Sequence, residues 1–260
     1  MPKVFIDVYV FIIGLCVGSF LNVCIYRLPA GRSIVRPASA CGKCGTAIRW
    51  YDNLPIVSYI ILRGRCRACG ASFSIRYPLV ELLTGLSALA VWQHMGGQPQ
   101  SVIYFLFIAA LLTITFIDID HRIIPDSISL PGIPIGLLFC LFQLIPSMRW
   151  LDSLLGILCG GGSLFVVAWT YQLLTGKEGM GGGDIKLLAM IGAFIGWKGV
   201  LFTIMASSFI GTLVGVAVML STRQGMKLAV PFGPFLAMGA VLYLFFGPQL
   251  IGWYLNGFSR

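Results

Sequence analysis

The sequence predicts an all-α polytopic membrane protein of about eight transmembrane helices, with a small cytoplasmic four-cysteine zinc module between helices 1 and 2. Three observations predict it. The 260 residues are 58% hydrophobic and only 10% charged, with a mean hydropathy of +0.91, more apolar sequence than the core of a soluble domain consumes. Apolar runs recur at about twenty residues, the length that crosses a hydrocarbon core. The basic residues are also gathered: nine of the 18 Lys and Arg fall between Arg27 and Arg76, the bias expected of a cytoplasmic loop. The net charge of +9 therefore reads as membrane topology, and no nucleic-acid partner is expected.

The first run, 4–24, is longer than the apolar core of a signal peptide. Its end, Gly18-Ser19-Phe20-Leu21-Asn22-Val23, lacks a small-x-small cleavage site, so it reads as a retained helix. Further spans are expected at 78–95, 101–118, 128–146, 153–174, 185–197, 199–220 and 231–254. The fourth carries Pro131 and Pro134, and the sixth is short. With the 27–77 loop in the cytoplasm, eight spans place both termini outside. Fourteen basic residues are then cytoplasmic, Arg122, Lys177, Lys186, Arg223 and Lys227 among them, against Lys3, Arg149, Lys198 and Arg260 outside. That distribution obeys the positive-inside bias, and the opposite orientation violates it. Gly160-Gly161-Gly162 suits close helix packing. Three parts follow: a first helix (1–26), a cytoplasmic cysteine module (27–77) and a membrane domain (78–260).

The loop holds two Cys-x-x-Cys-Gly knuckles, Cys41-Gly42-Lys43-Cys44-Gly45 and Cys66-Arg67-Ala68-Cys69-Gly70, separated by 21 residues. Four cysteines paired this way suit a tetrahedral zinc site, each knuckle holding one side of the metal. Disulfides do not fit a reducing cytoplasm, and a redox pair needs no duplicate. Four sulfurs leave no open coordination position, so Cys41, Cys44, Cys66 and Cys69 are expected to hold structural zinc. Cys16, Cys24, Cys140 and Cys159 fall in spans and read as small packing residues.

Acids are scarce: Asp7, Asp52, Glu81, Asp118, Asp120, Asp126, Asp152, Glu178 and Asp184 are all of them. An ionised group at the centre of a span costs about 2.5–3.5 kcal/mol on insertion scales, so a membrane-embedded acid is a functional candidate. Asp184 follows Gly181-Gly182-Gly183 and opens a span at the cytoplasmic end. Two aspartates at one depth can share a proton and activate water for attack on a peptide carbonyl. The spacing alone does not choose a partner for Asp184, because Asp118, Asp120 and Asp126 all stand near the same membrane face. Asp126, after Pro125, also reads as a helix N-cap; Asp120 and His121 read as solvated boundary residues. Asp184 itself has a plainer reading, an N-cap paired with Lys186. Glu81 reads as interfacial or paired with an arginine. If Asp118 is the partner, it ends one helix and Asp184 begins another, so the dipoles of those helices favour ionisation of Asp184 first, with Asp118 keeping the shared proton. The glycines are expected to unwind the backbone beside the acid and admit an extended substrate.

At these residues the chain resembles the bacterial type IV prepilin peptidases, the bifunctional leader peptidase/N-methyltransferases of pilus and type II secretion systems. The resemblance rests on Gly18 to Val23 with Arg27-Leu28-Pro29, the four cysteines, Leu54-Pro55-Ile56-Val57-Ser58-Tyr59 and Arg76-Tyr77-Pro78-Leu79-Val80-Glu81. It continues with Ile117-Asp118 before Ile124-Pro125-Asp126, the Gly-x-Gly-Asp motif ending at Asp184, and Pro231-Phe232-Gly233-Pro234. In this order the motifs are specific and cover nearly the whole chain.

The resemblance implies that Asp118 and Asp184 are the catalytic pair, with Gly181, Gly183, Lys186 and Asp126 supporting them. It implies cleavage of prepilins and pseudopilins after the glycine that ends a basic leader, then methylation of the new N-terminus from S-adenosylmethionine. It further implies residence in the bacterial inner membrane and assembly components of pilus or type II secretion systems as partners. The methyl donor's residues are not marked by any glycine-rich fingerprint. All four cysteines favour the bifunctional form over a peptidase-only one. Two other classes stay in view: a proton-coupled transporter using the Asp118/Asp184 pair, which lacks an acid ladder to the other face, and a zinc-ribbon scaffold, which does not require that pair.

Overall fold

The computed structural model describes residues 3–176, 181–222 and 231–257. Lys177, Arg223, Lys227 and Arg260, counted above in the charge distribution, lie outside the described residues, as does the acid Glu178. Among the described residues the regular structure is helical: α1 (Lys3–Arg27), α2 (Val57–Ile61), α3 (Arg76–His94), α4 (Gln100–His121), α5 (Asp126–Leu141), α6 (Trp150–Thr175), α7 (Gly182–Thr222) and α8 (Gly233–Gly257). The protein is an all-α polytopic membrane protein. α1, α4, α6, α7 and α8 are long and apolar enough to cross a membrane, and α5 is a shorter apolar helix.

The expected sixth and seventh spans form one element, α7, broken at Gly196, where φ is 72° and ψ 176°. With α7 taken as two helices, and α3 included, the described residues form the eight apolar helices expected. Pro131 and Pro134 lie within α5 without ending it. α6 stops at Gly176, whose left-handed φ of 69° lets its N–H reach the Gln172 carbonyl, the usual glycine solution to a helix C-terminus.

The chain divides into two compact units, residues 1–113 and 114–260. In the first, α1 packs on α3. Gly14 and Gly18 sit at this contact: a Cβ on Gly18 lies 2.7 Å from the Glu81 Cα, and one on Gly14 lies 2.7 Å from the Ala88 Cβ. Small residues four apart let helix backbones approach where lipid removes the hydrophobic drive for association.

In the second unit, α7 packs on α5, α6 and α8. Gly156 of α6 and Gly192 of α7 meet backbone to backbone, so a Cβ on either runs into the other's carbonyl. Gly160 adjoins the Leu188 carbonyl, whereas nothing lies within 4 Å of a Cβ on Gly162. The glycine triplet thus has one face for packing and one open face. Ser153 of α6 donates to the Ala193 carbonyl at 2.8 Å, a buried polar contact across the same seam. Leu187, Leu188, Met190 and Ile191 fill the interior beside it. Of the cysteines outside the knuckles, Cys24 and Cys140 are buried, while Cys16 and Cys159 are exposed, so the packing role fits the first two.

Candidate functional site

In the second unit, α4 carries Asp118 near its C-terminal end and α7 carries Asp184 in its first turn. Asp118 is 5% exposed. Its Oδ2 accepts a 3.0 Å hydrogen bond from the backbone N–H of Gly233, the first residue of α8. A Cβ on Gly233 would stand 2.7 Å from that oxygen, so a bare backbone is what allows the close approach. Asp184 is partly exposed and lies within electrostatic range of Asp118.

Ile124 joins the two sides. Its Cβ lies 2.9 Å from a Cβ on Gly183, and its Cδ1 lies 3.5 Å from a Cβ on Gly233. The loop between α4 and α5 therefore lodges between the residue preceding Asp184 and the residue that holds Asp118.

The three glycines before Asp184 are not equivalent. Gly183 abuts Ile124, whereas a Cβ on Gly181 or Gly182 meets nothing within 4 Å. α7 begins at Gly182, so Gly182 and Gly183 are helical and the expected unwound backbone is not found at these two positions. The reason is local: Asp184 N–H already bonds the Gly181 carbonyl at 3.2 Å, closing a first turn.

Lys186 Nζ contacts both carboxylate oxygens of Asp126 at 2.8 Å. Lys186 is thus paired with Asp126 across 60 residues, rather than with Asp184 as the N-cap reading had it. Asp126 is the first residue of α5, after Pro125 at the cap position, and its carboxylate goes to Lys186. Asp120 and His121 are exposed, as boundary residues should be. The dipole argument for the order of ionisation also changes. Asp118 stands at the C-terminal end of α4 and, through Gly233, at the N-terminal end of α8, so two opposed helix ends act on it.

The first unit holds the cysteine cluster. The four Sγ atoms of Cys41, Cys44, Cys66 and Cys69 lie within 4.8 Å of one another, and those of Cys41 and Cys69 are 3.8 Å apart. A tetrahedron with metal–sulfur bonds of about 2.3 Å has an edge of about 3.8 Å, so the cluster is shaped to hold a metal.

The two knuckles are built alike. Gly45 N–H bonds Cys41 O at 2.8 Å and Gly70 N–H bonds Cys66 O at 2.9 Å, with φ of 71° and 69° at the two glycines. Those left-handed turns are open to glycine at little cost. A bridge of extended residues closes each knuckle, Ala40 with Ala47 and Arg65 with Ser72. The Thr46 hydroxyl, 3.3 Å from Cys44 Sγ, and the Thr46 backbone lower the Cys44 thiol to about 6. Backbone N–H groups of Cys69 and Ala68 lower Cys66. Both effects favour thiolates, the metal-binding form, at these two positions. At Cys69 the Ala71 backbone acts the same way, but hydrogen bonds with the neighbouring cysteines and burial outweigh it and push the thiol up to about 11. Arg67 forks onto Asp52, with Nε 2.9 Å and Nη2 2.6 Å from its oxygens, tying the second knuckle to the turn at Trp50–Asn53.

Hydrogen-bond donors from two other segments hold Glu81, in place of the arginine considered for it. It is 8% exposed, accepts the Ile56 N–H at 2.8 Å on Oε2, and bonds the Ser19 hydroxyl. Sequence reasoning set this residue aside as interfacial. The signal that marks it is that its partners, Ser19 and Ile56, fall in two other motifs of the chain, Gly18 to Val23 and Leu54 to Tyr59.

With this geometry in place, comparison with known proteins is decisive. The Bacterial Peptidase A24 N-terminal domain matches residues 12–95, and the Type IV leader peptidase family matches residues 105–216. The chain belongs to the type IV leader peptidase family. Similar proteins named prepilin leader peptidase/N-methyltransferase occur in Stutzerimonas stutzeri, 39% identical over 96% of this chain and 93% of the relative. Another, in Pseudomonas aeruginosa, is 40% identical over 94% and 92%. A third, in Aeromonas hydrophila, is 37% identical over 96% and 93%. No solved structure matches the chain. The family assignment and these relatives do not favour the transporter or the scaffold.

Proposed function

We propose that this protein is a membrane aspartyl endopeptidase that removes the leader of type IV prepilins and pseudopilins after glycine, and then N-methylates the new N-terminus. The peptidase half is supported by Asp118 and Asp184, which come from separate helices and lie within electrostatic range of each other, in a member of the leader peptidase family. One carboxylate takes a proton from water, which attacks the scissile carbonyl; the other, protonated, polarises that carbonyl and then protonates the leaving amine. Gly233 fixes the carboxylate of Asp118, and the open side of Gly181 and Gly182 leaves room for substrate backbone. The Lys186–Asp126 pair braces the start of α7 against α5.

The methyltransferase half rests on the names of the relatives, with S-adenosylmethionine as donor. Cys41, Cys44, Cys66 and Cys69 would hold a zinc ion, whose coordination would cross-link the two knuckles of the loop. The working division is a first helix (1–26), a cytoplasmic zinc module tied to methylation (27–77) and a peptidase domain (78–260). The protein sits in the inner membrane with the module and both aspartates at the cytoplasmic side, which the basic residues of that loop favour. Pilus or type II secretion components are its assembly partners. Purified protein in detergent, given a synthetic prepilin, tests the reading: cleavage after glycine is expected from the unaltered protein and from neither Asp118→Asn nor Asp184→Asn. Cleavage by either variant would remove the aspartyl mechanism.

A further inference from the structure

The first unit contains a cavity of about 640 Å³ between α1, the start of α3 and the cysteine module, within the range of small-molecule sites. Its walls combine aromatic rings with a few polar groups. Tyr26, Tyr59 and Tyr77 line it, as do Arg65 and Glu81, with Asn53 among its exposed lining residues. Tyr59 is seated by Gly64, buried at φ 65°, where any Cβ would lie 2.8 Å from the ring.

Glu81 is the distinctive member. It is a buried carboxylate that three segments of chain converge to hold: Ser19 from α1, Ile56 from the loop, and α3 itself. Ile56 donates to it from φ 61° and ψ −48°, a backbone state that a β-branched residue rarely occupies. Such strain persists only where surrounding structure enforces it, and it gathers at functional sites. A carboxylate offers about four lone-pair sites, and these two donors leave capacity that faces the cavity.

We propose that this cavity is the methyl-transfer site: it takes a nucleoside carrying a sulfonium and an amino-acid tail, and Glu81 is the base for the acceptor amine. The proposal rests on the methyltransferase reading above. The tyrosines suit a purine ring, Arg65 suits the carboxylate of the tail, and Glu81 suits the cationic groups that must meet at the methyl. Glu81 takes a proton from the acceptor ammonium. The freed amine lone pair then forms a bond to the methyl carbon as the carbon–sulfur bond breaks. Its electron pair stays on sulfur, leaving a neutral thioether and a protonated N-methylamine.

The test uses the full-length protein in detergent, with S-adenosylhomocysteine binding measured by calorimetry beside peptide methylation and cleavage. Asn53→Trp, which fills the cavity from its rim, should weaken binding by about tenfold or more. Glu81→Gln keeps an oxygen for Ile56. It should leave binding of the neutral thioether within about threefold and lower methylation by about a hundredfold, in the range of general-base catalysis. Cleavage should be unchanged in both variants, and an unaltered zinc content is the control for a folded first unit. Binding and methylation at unaltered levels in both variants overturn the site while leaving the methyltransferase reading intact. An unaltered protein that neither binds S-adenosylhomocysteine nor methylates overturns that reading and the proposal with it. Should Glu81→Gln fail to fold, Asn53→Trp decides alone, and normal binding by it overturns the site.

Discussion

The backbone N–H of Gly233 donates to Oδ2 of Asp118 across 115 residues of sequence. The bond ties the end of α4 to the start of α8 and fixes one carboxylate of the proposed catalytic pair. A methyl group at Gly233 would stand 2.7 Å from Oδ2 and 3.3 Å from Cγ of Asp118, so the carboxylate must rotate away or the helix must shift. Gly233→Ala should therefore lower kcat for leader cleavage by about ten- to a hundredfold, the scale of a misplacement near 1 Å. Cleavage kinetics check this, with zinc content as the control for an intact first unit.

Lys186 and Asp126 form an exposed ion pair. Exposed pairs contribute about 0–1 kcal/mol, so Lys186→Met should barely move the thermal midpoint. If the pair braces α7 behind Asp184, its loss should lower cleavage several-fold, far less than loss of either aspartate. Thermal melts and cleavage rates on one preparation separate the two effects.

At the α6–α7 seam a side chain has nowhere to go, because a Cβ on Gly192 runs into the backbone of Gly156. Gly192→Val should destabilise the second unit by about 1–3 kcal/mol, the usual cost of overpacking. Gly162→Val, whose Cβ meets open space, should be close to neutral. Thermal unfolding in detergent compares them directly.

The cysteine cluster should bind one zinc per chain, measured by elemental analysis. Cys44→Ser should release it, since a hydroxyl is a far poorer ligand than the thiolate that Thr46 favours at Cys44. Stripping the metal with a chelator should disorder the 27–77 loop, seen as faster proteolysis there. Cleavage of the prepilin should survive, because the proposed pair lies in the other unit.

Much of this was legible from residue types. The spans could be read because lipid demands long apolar runs, and the metal cluster because two knuckles with following glycines repeat one local geometry. Other features depended on contacts distant in sequence. Gly233 carries no chemistry in its side chain, so its donation to Asp118 was invisible. Lys186 stands two residues from Asp184, and local reasoning paired them, yet its carboxylate partner is 60 residues away. Three glycines suggested an unwound backbone, while tertiary packing on Ile124 and one backbone hydrogen bond hold Gly183 in a helix. Glu81 looked like one more boundary acid until its partners placed it in a cavity wall.

The most direct test of the account is mass spectrometry of a synthetic prepilin before and after incubation with the full-length protein and S-adenosylmethionine. The account predicts one cleavage, after the glycine that ends the leader, with a methyl on the new N-terminus, and no cleavage with Asp184→Asn. Cleavage elsewhere, or undiminished cleavage by that variant, would contradict it.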